Sequence, residues 1–206
     1  MPVYKNIKGN GWQVVVWNVT ESVEELARMA NYSGEKPVSN RRYTERLATY
    51  ALLNVLGFKF GYSYDNFGRP VLPNSSNLIT VSHTKTMVAV GISNGIPIGI
   101  DIESVNRNFL YVAKKYLTEK ERACVNENDK RQMALIWCVK EAVYKLPWKE
   151  NSKVFSSDIE VKINSNTIQQ GWCYVEIKEL GEWVKLKANF TFFDEYCLVW
   201  VLKIVE

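Results

Sequence analysis

Met87-Val88-Ala89-Val90-Gly91-Ile92-Ser93 and, after a short turn, Ile98-Gly99-Ile100-Asp101-Ile102-Glu103 form the stretch on which the fold turns. β-Branched and apolar residues crowd both runs, so both read as strands. Working outward, Trp12 to Val19 and Leu78 to Val81 read as strands before them. Ile159 to Ile163, Cys173 to Ile177, Trp183 to Phe193 and Cys197 to Val205 read as strands after them. Helical signals fall between. Ser22 with Glu25 three residues on has the spacing of a capping box, and so does Thr118 with Glu121. A longer helix is expected from Asn40 to Leu56, stopping at Gly57. The strongest helix runs from Lys130 to Leu146 and is ended by Pro147. Strands, helices, strands, helices, strands in that order predict an α+β fold rather than a doubly wound parallel sheet. Two stretches, Thr80 to Ile92 and Thr191 to Leu202, both place a turn before an apolar strand, which suggests an internal repeat.

Composition narrows the class. A chain of 206 residues with 47% hydrophobic side chains can bury a core without metal or disulfide staples. Its net charge of +4 suits an anionic ligand but falls short of a dedicated nucleic-acid binder. No apolar run approaches the ~20 residues that span a bilayer. Met1 to Trp17 lacks a basic stretch followed by a long apolar one, so no signal peptide is expected. Cys124, Cys138, Cys173 and Cys197 form no C-x-x-C pair, which fits reduced thiols and a cytoplasmic location.

Asp101 and Glu103 are two apart on a strand and share a face, while Ile100 and Ile102 share the other and are expected to face the core. Two neighbouring carboxylates repel unless a cation lies between them. Oxygen-only ligands favour Mg²⁺ or Mn²⁺ over zinc. An acidic strand face bathed in solvent would carry the same residues. In the helix Trp137-Cys138-Val139-Lys140-Glu141-Ala142-Val143-Tyr144-Lys145, a 100° step puts Ile136, Val139, Val143 and Leu146 on the core side. Trp137, Lys140, Glu141, Tyr144 and Lys145 fall beside them, with Glu141 and Lys145 spaced as a helical ion pair. Lysines flanking a carboxylate also suit a site that binds phosphate and metal together. The sole histidine, His83, lies among Ser82, Thr84 and Lys85, a group able to donate several hydrogen bonds to phosphate oxygens. Gly68-Arg69-Pro70 is a turn carrying a cation, and Arg41 and Arg42 open a helix whose start could attract an anion.

These elements in this order resemble the 4′-phosphopantetheinyl transferase family, and in particular its larger, two-lobed branch of surfactin-synthetase-activating and enterobactin-type enzymes. The motifs are Gly68-Arg69-Pro70, Val81-Ser82-His83, Gly99-Ile100-Asp101-Ile102-Glu103 and Trp137-x-x-Lys140-Glu141-Ala142-x-x-Lys145, spread over Arg41 to Lys145. The resemblance implies a pseudo-twofold pair of similar α+β lobes, residues 1–97 and 98–206, with the active site in the cleft between them. It implies Mg²⁺-dependent transfer of phosphopantetheine from coenzyme A to a serine of an apo acyl or peptidyl carrier protein, releasing 3′,5′-ADP. By resemblance Asp101, Glu103 and Glu141 hold the metal, His83 contacts coenzyme A phosphate, and Lys145 meets the pyrophosphate. Gly68, Arg69 and Pro70 match the turn near the nucleotide, and Ser82, Lys140 and Arg42 join the coenzyme A set. A cytoplasmic monomer acting on neither nucleic acid nor membrane is implied as well.

Two positions depart from the family pattern. The basic-x-x-Glu-aromatic-Leu-Ala-x-Arg helix is matched at Arg42 and Glu45, but Tyr50 stands where its later arginine belongs. Leu146-Pro147-Trp148 replaces a glycine-rich turn found in some members. The alternative function is a non-catalytic binding module for coenzyme A or carrier proteins, which needs the basic residues but not all three carboxylates. An RNA-binding α+β protein would instead need aromatics beside basic residues on an exposed sheet. Arg107 to Tyr116, with Lys114 and Lys115 beside Phe109, Leu110 and Tyr116, has the mix of cations and apolar anchors expected of a carrier-docking segment.

Overall fold

Alternating apolar residues and local caps produce the elements in the computed structural model, which describes residues 3–32, 34, 39–147, 156–179 and 181–203. The chain divides into two compact units, Met1–Ile96 and Pro97–Glu206. Both mix helices with an antiparallel sheet, so the chain is α+β, as the order of elements implies. Among the described residues, no helix is long and apolar enough to cross a membrane.

In the first unit, strands β1 (Val3–Gly9) and β2 (Trp12–Asn18) form a hairpin, followed by helices α1 (Val23–Ala30) and α2 (Asn40–Val55). Short strands β3 (Ser63–Tyr64) and β4 (Pro70–Val71) precede the hairpin of β5 (Asn77–His83) and β6 (Met87–Asn94). The sheet order is β1-β2-β6-β5-β4-β3. Ser22 caps α1 through a capping box with Glu25, as the spacing predicts. Ser39 caps α2 by accepting from the Arg42 amide. Leu47, Ala51 and Leu52 of α2 and Leu26 of α1 pack on Val15, Trp17, Ile79, Val88 and Val90 of the sheet. Full burial of such side chains contributes about 1.5–3 kcal/mol each. That packing fixes α2 relative to the end of β5.

The second unit opens with β7 (Ile98–Ser104), then one 3₁₀ turn (Leu110–Val112) and helices α3 (Ala113–Tyr116), α4 (Glu119–Cys124) and α5 (Lys130–Tyr144). After a second 3₁₀ turn (Ser156–Asp158) come β8 (Ile159–Lys162), α6 (Thr167–Gln170), β9 (Trp172–Glu179), β10 (Glu182–Phe193) and β11 (Tyr196–Leu202). The sheet order is β7-β11-β10-β9-β8, all antiparallel. The two stretches read as a repeat, Thr80 to Ile92 and Thr191 to Leu202, are antiparallel hairpins in their respective sheets. Helix α5 lies on its sheet through Ile136, Val139 and Val143, with Leu146 just past its end, in one core with Val175, Ile177, Phe190, Val199 and Val201.

Three differences from the sequence reading have physical causes. Strand β1 carries few apolar residues and three lysine or asparagine positions, so it gave no strand signal. Such polarity is usual on an edge strand, and β1 is an edge. Strands β3 and β4 are two residues long and carry no periodicity. Helix α5 ends at Tyr144 rather than Leu146, with Lys145 as its C-cap, because Pro147 drives the residue before it out of the helical region. The ends of the last expected strand and of the Leu146-Pro147-Trp148 turn, Val205 and Trp148, lie outside the described residues.

Candidate active site

Gly99 positions the acidic group of the second unit. A β-carbon at Gly99 would lie 1.9 Å from the Ala142 carbonyl oxygen, so the backbones of β7 and α5 nearly touch there. Asp101 and Glu103 follow at two-residue steps and share Gly99's face, so they point toward the helix-covered side. Asp101 is 4% exposed. Ile100 and Ile102, expected to mark the core face, are fully buried on the opposite one. The acidic face is therefore neither solvated nor turned from the packed helix. Both faces of this strand are covered.

The charges around these carboxylates come from α5 and from the turn after β7. Lys145 Nζ lies 2.7 Å from Asp101 Oδ1. The expected Glu141–Lys145 pairing along the helix gives way to this one, because the C-cap position frees Lys145 to reach across to β7. Arg107 Nη1 bonds Glu103 Oε1, and its guanidinium lies 4.3 Å from the centre of the Trp137 ring. Trp137 is itself held edge-on by Tyr116, with centroids 5.2 Å apart. Burial, reinforced by the charge of Asp101, pushes the Glu103 carboxyl up to about 7. The same two causes raise Glu141 above the ordinary carboxylate range. Asp101, Glu103 and Glu141 thus form one electrostatic group.

Among the described residues, no three or more His, Cys, Asp or Glu side chains are arranged to hold a metal ion. Asp101 and Glu103 are instead each drawn onto a cation of the chain. The donor chemistry still fits a hard divalent ion, since all three groups are carboxylates and two are destabilised in their charged form by burial and by Asp101. A divalent cation would relieve that repulsion.

Lys140 does not join this group. It is 3% exposed, its Nζ 2.8 Å from Glu121 Oε2 and hydrogen-bonded to the Tyr116 carbonyl. Glu121 is equally buried; it accepts from the Thr118 amide at 2.7 Å, closing the capping box of α4, and from the Val161 amide at 2.8 Å. Burial lowers the Lys140 pKa, opposed by Glu121. The ammonium of Lys140, expected among the coenzyme A contacts, anchors α5 to α4. Lys140→Met is expected to destabilise the unit by about 3–5 kcal/mol, because Glu121 would be left a buried, uncompensated charge. Lys140→Met with Glu121→Gln should recover part of the loss in chemical denaturation. An unchanged midpoint for the single variant would refute the anchoring role.

In the first unit the Gly68-Arg69-Pro70 turn is built on Asp65, whose Oδ1 accepts from the Phe67 and Arg69 amides at 2.9 and 2.8 Å. Gly68 has φ +75°, a region that L side chains rarely enter. The Arg69 guanidinium lies 5.4 Å from the centre of the Phe67 ring. Ser82 is buried at the end of β5, and the exposed His83 follows it. His83 Nδ1 is 3.5 Å from Glu45 Oε1, which also accepts from Arg41 Nε at 2.7 Å. Arg42 is exposed on the first turn of α2. Tyr50, which replaces the family arginine, donates from its hydroxyl to the Tyr62 carbonyl and packs edge-on against Tyr32.

Three residues hold places here that the sequence reading did not give them. Arg107, read only as a cation of the docking segment, sits in a turn where no periodicity marks its partner, and the fold supplies its ring platform. Glu121 gave only its capping signal. Glu45 gave only its place in a helix motif, although its spacing from Arg41 is that of a helical ion pair.

No curated protein matches the chain. The acidic strand of β7, the Trp137–Lys145 helix and the sheet behind them fall within residues 97–198, which match the model of the 4′-phosphopantetheinyl transferase superfamily, so the second unit carries the domain of that superfamily.

Proposed function

We propose that the protein moves the 4′-phosphopantetheine group of coenzyme A onto a serine hydroxyl of an apo acyl or peptidyl carrier protein, with Mg²⁺ or Mn²⁺ bound by Asp101, Glu103 and Glu141. The observation that carries this reading is the buried carboxylate group with Lys145 at its edge, inside the superfamily domain. In the transfer, the serine oxygen bonds the phosphorus that carries pantetheine. The bond from that phosphorus to the bridging oxygen breaks, and 3′,5′-ADP leaves with that oxygen. Reactions of this kind need positioning and charge neutralisation more than covalent help from the protein.

The chain's own residues meet those needs. Lys145 supplies fixed positive charge where phosphate oxygens become more negative. Glu141, four residues before Lys145, takes the serine proton as general base. His83, Ser82 and the Gly68-Arg69-Pro70 turn meet the phosphates and nucleotide of coenzyme A, with Arg42 at the start of α2. When bound, the divalent ion would polarise the pyrophosphate and lower the charge repulsion among the carboxylates.

A second reading, a metal-free binding module, draws on the same ion pairs, since Lys145 and Arg107 already neutralise Asp101 and Glu103. Mass spectrometry separates the two. Incubation with coenzyme A, Mg²⁺ and a panel of apo carriers should add phosphopantetheine to at least one. Excess chelator should abolish the addition, and restored Mg²⁺ or Mn²⁺ should return it. Binding of coenzyme A without modification of any carrier would favour the module, and full transfer in chelator would remove the metal from the proposal.

For the carrier, the segment from Arg107 to Tyr116 needs revision. Phe109 and Tyr116 are buried in the core of the second unit and are not docking anchors. Leu110 and Tyr111 are exposed, beside the exposed Lys114 and Lys115. Tyr111→Ala and Lys114→Glu are expected to raise the KM for an acidic carrier severalfold and leave that for coenzyme A unchanged. Added salt should weaken carrier use more than coenzyme A use, since surface attraction is screened within ~8–10 Å. Equal changes for both substrates would place docking elsewhere.

A further inference from the structure

Glu45 is a carboxylate that the reaction above leaves without a task. It lies on α2, its side chain only 13% exposed, between the Arg41 guanidinium at 2.7 Å and the His83 imidazole at 3.5 Å. A negative charge beside a residue that meets phosphate works against binding, unless that charge is held behind the donor and acts through it. The geometry has that form. Glu45 stands at Nδ1 of His83, and ring geometry puts Nε2 on the opposite edge of the imidazole. A carboxylate at one ring nitrogen fixes both the proton on that nitrogen and the ring's orientation.

The two supports are firm. Glu45 belongs to a helix of 16 residues packed on the sheet through Leu47, Ala48, Ala51 and Leu52, and its carbonyl accepts from Thr49 Oγ1 at 2.8 Å. His83 closes β5, paired across to Val88. Arg41 shares the Glu45 oxygen that faces His83, so it restrains the carboxylate and offsets part of its charge. Lys85 follows His83 by two residues and adds a further cation to the neighbourhood.

We propose that Glu45 is the positioning residue of the coenzyme A phosphate site: it holds His83 doubly protonated, with Nδ1–H toward its own carboxylate and Nε2–H as the donor to phosphate, and with Arg41 as the brace. This inference rests on the reading of His83 as a phosphate contact.

The chain has one histidine, so a single imidazole signal reports on the arrangement. ¹⁵N NMR of the full chain should show that Glu45→Gln lowers the His83 titration midpoint by about one unit, since an opposite charge within ~4–6 Å favours the charged form. Calorimetry with 3′,5′-ADP should show about tenfold weaker binding for His83→Ala and about fivefold for Glu45→Ala, the latter partly rescued by Glu45→Asp. In the His83→Ala background, Glu45→Ala should have no further effect, because residues that act as a unit are not additive. A structural role for Glu45 would weaken binding equally in both backgrounds and leave the midpoint in place; either result overturns the proposal. Unchanged 3′,5′-ADP affinity in His83→Ala would instead overturn the phosphate role of His83, and the inference with it. Thermal unfolding of each variant separates loss of fold from loss of the contact.

Discussion

Asp101→Ala is expected to cut phosphopantetheine transfer by about 10³-fold or more while leaving the fold of the second unit in place. Asp101 raises the pKa of both Glu103 and Glu141, and its removal relieves carboxylate repulsion in a buried site. Its ion-pair partner Lys145 is partly exposed at the end of α5 and can turn to solvent, so that ammonium is not stranded as a buried charge. Activity has no such compensation on the proposed metal site: losing the charge stabilisation that a divalent ion would supply there removes several kcal/mol, and each ~1.4 kcal/mol is tenfold in rate. Steady-state transfer assays and circular dichroism of the same preparations check both halves. A variant that keeps more than a tenth of its activity would show that Asp101 is not a principal ligand.

Gly99→Ala should cost the second unit about 3 kcal/mol or more, and Gly99→Val should prevent its folding. The added β-carbon meets the Ala142 carbonyl oxygen at 1.9 Å, and the Leu146 side chain lies just beyond. Overpacking against side chains costs about 1–3 kcal/mol, because neighbours repack. Here the obstacle is helix backbone, and only movement of α5 as a whole can make room. Ala142→Gly therefore should not rescue Gly99→Ala, since it deletes a methyl group and leaves the carbonyl in place. Denaturant unfolding of the single and double variants checks this, and rescue by Ala142→Gly would show that the side chain is the obstacle.

Local chemistry was legible in the sequence and distant packing was not. The Ser22–Glu25 and Thr118–Glu121 capping boxes form as their spacing predicts, because a cap involves residues three apart. The pairing of Asp101 with Glu103 on one face was likewise fixed by the period of a strand. Which face met the helix was not legible, since Ile100 and Ile102 on the other face are buried too and alternation cannot rank two covered faces. Lys140 read as a coenzyme A-binding lysine flanking Glu141. Its partner Glu121 lies in another helix, and no periodicity joins the two. Phe109 read as an exposed anchor because it follows Arg107, whereas the fold turns its ring into the core beside Trp137.

Glu121 has a consequence for how the second unit opens. Its two oxygens bind the amide that starts α4, the amide of Val161 on β8 and the ammonium of Lys140 on α5. Helix α4 has six residues, too few to persist on its own. If it frays, an amide of β8 loses its acceptor and a buried ammonium loses its counter-charge in the same event. The three elements then share one opening free energy, and their amide protons exchange with solvent as a single cooperative block.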